Sequence, residues 1–247
     1  MQSYRWAALL LLLLAISVPI GLRAMHEGAR SQTNVKQVKG GIDKTKWPAT
    51  AYDNPEPTDA RSRSIRESRG KKFDNSMFRV HPLDPSDTTY LTHSGTDLLP
   101  ALPIAQSDLI LIGEVVDAKA YLSNDKTGVY SEFTVRVDEV LKSGGETSVA
   151  QNNTIAVERQ GGRVQFPSGK EHTYFVSKEN MPEFGQRYVL FLKRLEEDQA
   201  FHLLTGYVLI GDKVSPLDEH HQFETYKGAE AAAFIEKIKT DLSQTTP

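Results

Sequence analysis

From residue 105 onward, apolar positions recur mostly at every second residue, and clusters of turn-forming residues separate the runs. Residues 108–121 (DLILIGEVVDAKAY) are apolar on both faces at first and then alternate. This predicts a long central strand, with Gly113 as a bulge or bend. After the turn formers of Ser123–Gly128, residues 129–141 place Val129, Phe133, Val135, Val137 and Leu141 on one face and Glu132, Thr134, Arg136 and Asp138 on the other. The two segments read as a hairpin. A polar loop, 142–153, leads to a strand at 154–160, and Pro167–Gly169 supplies the turn of a second hairpin over 163–176. Further strands follow at 187–194, 201–210 and 214–217, about seven in all. Helical spacing replaces strand spacing only near the end. Over 229–242, Ala231, Phe234, Ile235, Ile238 and Leu242 form an apolar stripe suited to covering a sheet. Phe133, Val135, Val137, Tyr188, Leu190 and Leu192 are expected to share one core.

Two other regions flank this pattern. Arg5 precedes an apolar run from Trp6 to Leu22 that holds six consecutive leucines, and no acidic residue occurs before Glu27. Residues 1–25 therefore read as a signal peptide or a membrane anchor, which places the rest of the chain outside the cytoplasm, secreted or tethered to the membrane. Cleavage-like small residues occur at Ala15–Ser17 and at Ala24, whereas Arg23, Arg30, Lys36 and Lys39 follow the run. The choice between signal and anchor is open at this point. Residues 26–97 show no sustained period, are interrupted by five prolines and are rich in polar residues. They are expected to form a disordered linker ahead of a folded domain at 98–247. Within that stretch, RSRSIRESRGKK at 61–72 carries six basic residues and one acidic, which suits either an anionic surface or a solubilising tether.

Composition narrows the chemistry. The 247 residues contain no cysteine, so disulfides, thiolate metal sites and a cysteine nucleophile are excluded. Residues 98–247 carry 15 basic and 22 acidic side chains, the wrong sign for a nucleic-acid footprint. None of the seven histidines lies in a metal-binding spacing. The densest run of ligand types is Asp218–His221, with His220 and His221 adjacent, and it reads as a solvated loop. No local nucleophile signature, phosphate loop or dinucleotide fingerprint is present, so no catalytic, cofactor or metal residue is assigned. Glu158 and Arg159 beside Gly161 and Gly162 read as outward-facing charges on a strand.

The succession SDLILIGEVV, a long alternating strand ending VLKS, IAVERQGG, FGQRYVLFLKR and a strand ending TGYVLI resembles a group of uncharacterised secreted bacterial proteins. The core of that group is similar to the OB-fold barrel of netrin and tissue-metalloprotease-inhibitor modules. The resemblance spans about 105–217 and implies a mainly β fold: a small antiparallel OB-like barrel with a C-terminal helix. A β-sandwich is the alternative. Those inhibitors act through an amino-terminal cysteine that this chain lacks, so no inhibitory residue carries over. Two functions fit. One is a non-catalytic extracytoplasmic binding module for an envelope protein or glycan, attached to the membrane through residues 1–25. The other is a secreted hydrolase whose dispersed residues, such as Glu158, His172 and His202, meet only in space. A concave site that gathers two or more of those three side chains would favour the hydrolase.

Overall fold

The computed structural model describes residues 43–82, 88–91, 95–144, 149–194 and 200–245; the apolar amino-terminal run and residues 26–42 of the expected linker lie outside these. The described fold is mainly β. Its long hairpin is β3 (Leu109–Leu122) and β4 (Val129–Ser143), paired antiparallel from Leu122↔Val129 to Leu109↔Ser143. β5 (Thr154–Gln160) pairs with β4, β8 (Arg187–Arg194) pairs with the other edge of β3, and β9 (Phe201–Ile210) pairs with β8 and with β10 (Lys213–Pro216). β9 also meets β5 in a short parallel contact at Val157↔Phe201 and Glu158↔His202. Followed strand by strand, the pairings run β3, β4, β5, β9, β8 and return to β3.

The early part of β3 is apolar on both faces because both faces are covered. Leu109 and Leu111 join a core with Phe133, Val135, Val137, Tyr188, Leu190 and Leu192, so the six expected residues do share one cluster. Ile110 and Ile112 point the other way, into a second cluster with Val189, Phe191, Tyr207, Phe234 and Ile238. The helix there is α2 (Ala231–Thr245). Its stripe lies against the outer face of β3, β8 and β9, with Phe234 2% exposed and Ile238 fully buried. Gly113 sits at one of three register shifts in the β3–β4 ladder. A Cβ at this position would lie 2.6 Å from the carbonyl oxygen of Arg136, so the close approach of the two strands requires glycine.

The segment expected to be a disordered linker is folded from residue 43 to 82. β1 (Ala49–Ala51) and β2 (Thr88–Leu91) flank β6 (Gly162–Gln165) and β7 (Glu171–Val176) in a second, four-stranded sheet. Phe78 and Val80 are buried with Val129, Val164 and Tyr174 in a third cluster, while Trp47, 2% exposed, joins the first. Between β1 and β2 runs α1 (Ala60–Lys71), capped by Asp59, whose carboxylate accepts a 2.8 Å hydrogen bond from the backbone N–H of Ser62. The sequence pattern conceals this structure because α1 has no apolar stripe, and its one large aliphatic residue, Ile65, is 41% exposed. Hydrophobic periodicity is blind to a helix held by charge, and the paired partners of β1 and β2 lie roughly a hundred residues away.

Truncating the shared core at Phe133 or Leu190 to alanine should cost about 2–5 kcal/mol in chemical denaturation. Phe234→Asp should lower the unfolding midpoint of the whole domain, because it places a charge between α2 and Tyr207; an unchanged midpoint would show that the helix is not part of the cooperative unit.

Candidate functional site

Glu158 and Arg159 are adjacent on β5, so their side chains leave opposite faces of the sheet. Both are buried, at 0% and 1% exposure, which corrects the expectation of outward-facing charges. Glu158 lies directly across the ladder from Glu132 on β4, and two neighbouring carboxylates of like charge repel. The basic stretch at 61–72, expected to meet an anionic surface or to serve as a solubilising tether, instead relieves the repulsion. Arg66, Arg69 and Lys72 are spaced so that α1 presents them together to the sheet. Arg66 pairs with Glu132, Arg69 lies 2.6 Å from Glu132 and 3.4 Å from Glu158, and Lys72 lies 2.7 Å from Glu158. Just beyond the helix, Phe73 stacks on Tyr130 with ring centroids 4.2 Å apart. Arg136, on the same face of β4 as Glu132, does remain at the surface, paired with Glu114.

On the other face, Arg159 makes a two-pronged contact with Asp218, with both N–O distances at 2.8 Å. Asp218 also accepts hydrogen bonds from the backbone N–H of Asn180 and the hydroxyl of Thr205, each at 2.9 Å. Burial works against the charge of Arg159, but Asp218 and Glu179 outweigh it and hold the guanidinium above its usual pKa. The Asp218–His221 run is therefore not simply a solvated loop: Asp218 is committed to Arg159 and His220 is buried near the ring of Phe223, while Glu219 and His221 are exposed. Among the described residues no group of three or more histidines and carboxylates is placed to hold a metal ion.

The three residues proposed for a dispersed catalytic centre are not assembled into one. Glu158 is a counter-ion for α1. His202 sits opposite it on β9, partly buried, and burial together with the nearby charge of Arg159 pushes its pKa down to about 4. His172 belongs to the small sheet, 1% exposed, with the rings of Phe166 and Tyr174 at 5.0 and 6.3 Å.

A pocket of about 280 Å³ opens elsewhere, where the loop after β1, helix α1 and the β3–β4 turn meet. Its lining includes Tyr52, Glu56, Arg66, Tyr121, Asn124 and Lys126. The Arg66 guanidinium lies over the Tyr121 ring, 3.1 Å from its centroid, and the Lys126 ammonium lies 5.0 Å from that of Tyr52. The turn beneath is rigid by construction. Asp125 accepts from the backbone N–H groups of Asn75 and Thr127 and from the hydroxyls of Ser123 and Thr127, and despite some desolvation these bonds hold its carboxyl far below the usual range. Gly70 of α1 approaches this turn so closely that a Cβ there would meet the Asn124 side chain at 2.3 Å. The sequence pattern marks the turn and the basic stretch separately. No sequence signal joins them, because their meeting depends on the long-range docking of α1 and β1.

No protein-family model matches the chain, and no curated protein is similar to it.

His202 is disfavoured as a cation in the folded chain, so the unfolded chain binds the extra proton between its ordinary pKa near 6.5 and the folded value near 4. Its contribution to stability is complete above that window and is lost as pH falls through it. Between pH 7 and pH 4 the wild type should lose up to about 3 kcal/mol more than His202→Gln, read from denaturant midpoints of both chains. Glu158→Ala should remove the carboxylate that pairs with Lys72 and lies near Arg69 and destabilise the chain by about 3–5 kcal/mol, with proteolysis appearing first within α1.

Proposed function

We propose that the chain is a non-catalytic, extracytoplasmic binding module that receives its ligand in the pocket between the β1 loop, α1 and the β3–β4 turn. One observation carries this reading: the pocket gathers two aromatic rings, cations and amide groups but none of Glu158, His172 or His202. In the hydrolase alternative those groups would line a common cavity with an acid and a base in reach of one substrate. Glycoside cleavage, the reaction closest to an envelope ligand, ordinarily uses a pair of carboxylates, and Glu56 is the pocket's single carboxylate. The ligand is an envelope component, glycan or protein, because residues 1–25 direct the chain to or through the membrane.

The scaffold in this reading is a small OB-like barrel. Its support is the circuit of pairings through β3, β4, β5, β9 and β8, closed by the parallel contact between β5 and β9, together with the cluster of Leu111, Phe133, Val135, Leu190 and Leu203 that these strands share. Loops and added elements at the margin of such a scaffold are where binding residues collect.

The immobilised chain should retain material from an envelope extract, and Tyr121→Ala combined with Lys126→Glu should abolish retention without shifting the unfolding midpoint by more than about 1 kcal/mol. Turnover of ester, peptide or glycoside probes that disappears in His202→Gln would instead establish the hydrolase reading.

A further inference from the structure

We infer that the pocket takes an acidic sugar, a pyranose carrying a carboxylate, as a single residue or at the end of a short chain. The inference rests on the binding-module reading and names the ligand class for the same site. Size is the first argument. At about 280 Å³ the pocket lies at the small end of ligand sites, which run roughly 300–1,000 Å³, and so has room for one or two sugar rings rather than a lipid chain or a folded partner. The lining is mostly polar and aromatic. Its aliphatic surface is confined to Ala51, Leu122, Pro55 and Pro57, and the remainder consists of tyrosine rings, amides, hydroxyls and charges. Each tyrosine has one ring face beneath a cation, and its remaining apolar surface can meet the C–H side of a pyranose while its polar tip meets the hydroxyls; Asn54, Asn124 and Thr50 supply groups of the donor and acceptor type that hydroxyls need.

Charge selects the acid. Two cations, Arg66 and Lys126, line the site against one carboxylate, Glu56. Arg66 is already engaged by Glu132, whereas among the described residues the Lys126 ammonium contacts the carbonyl oxygen of Tyr52, at 3.3 Å, and the Tyr52 ring face. The backbone of Lys126 is in the left-handed region, at φ 58°, where glycine or asparagine is the more comfortable occupant. A lysine is thus held at a strained turn position with its charge over an aromatic ring at the mouth of the pocket. A carboxylate on the sugar would complete that contact. A bare phosphate would meet the cation without the C–H contact that the tyrosine surface offers, and a neutral sugar would bring no charge to Lys126.

The test is calorimetric titration of the purified full chain with galacturonate oligomers, with galactose oligomers of the same length and with a tetraglutamate peptide. The acidic oligomer should bind at least tenfold more tightly than the neutral one, and the preference should shrink as salt is raised. Lys126→Met, an exposed change that leaves the fold intact, should remove the preference while sparing the weaker neutral binding; Tyr121→Ala should remove both. Equal affinity for the two oligomers, tighter binding of the peptide, or no binding of the galacturonate oligomer overturns the sugar inference. In each of those cases, retention of envelope material that still depends on Tyr121 and Lys126 preserves the binding-module reading, so the two failures are distinguishable.

Discussion

Two charges buried back to back on one strand determine how the rest of the chain must be arranged. Glu158 and Arg159 leave opposite faces of β5, and neither reaches water. An ionised side chain taken out of water without a partner costs several kcal/mol, more than a small domain can spare. Each must therefore be matched, and the matching groups come from distant parts of the chain. Lys72 lies 86 residues before Glu158, and Asp218 lies 59 residues after Arg159. β5 thus joins an amino-terminal helix to one side of the sheet and a carboxy-terminal loop to the other. Apolar contact alone would leave α1 unplaced, because that helix has no apolar face to bury.

The same docking creates the pocket. Arg66 belongs to the row of cations that answers Glu132 and Glu158, and it is also the wall that covers Tyr121. The position of the wall is therefore set by a network with two carboxylates behind it, and the opposite wall is set by the hydrogen-bonded turn around Asp125. Preorganisation of this kind fixes the pocket walls before anything enters, which lowers the ordering cost of binding there. The three titratable groups considered for a dispersed catalytic centre have other surroundings: Glu158 is a counter-ion of α1, His172 lies inside the small sheet, and burial and Arg159 disfavour the charged form of His202.

The apolar part of the fold follows a simpler logic. Strands covered on one face alternate, as in β4, and strands covered on both faces are apolar throughout, as in β8 and the first half of β3. α2 exists because those second faces need a cover, and its stripe supplies one. This hydrophobic arrangement is local enough in sequence that each element carries its own evidence.

By itself, the sequence determined what depends on period and turn chemistry. The β3–β4 hairpin, the bounds of β5, β8 and β9, the bulge at Gly113, the six-residue core and the α2 stripe could all be read in advance, since an amphipathic element declares its buried face in its own residues. What only the tertiary structure decided is whatever depends on charge matched across long separations. The helical state of 60–71, the burial of Glu158 and Arg159, the second sheet and the pocket of Tyr52, Arg66, Tyr121 and Lys126 left no periodic trace. A solvated lysine or glutamate and a buried, paired one are the same letter in the sequence. The difference lies in the partner, and the partner is chosen when α1 and β1 fold back onto strands roughly a hundred residues away.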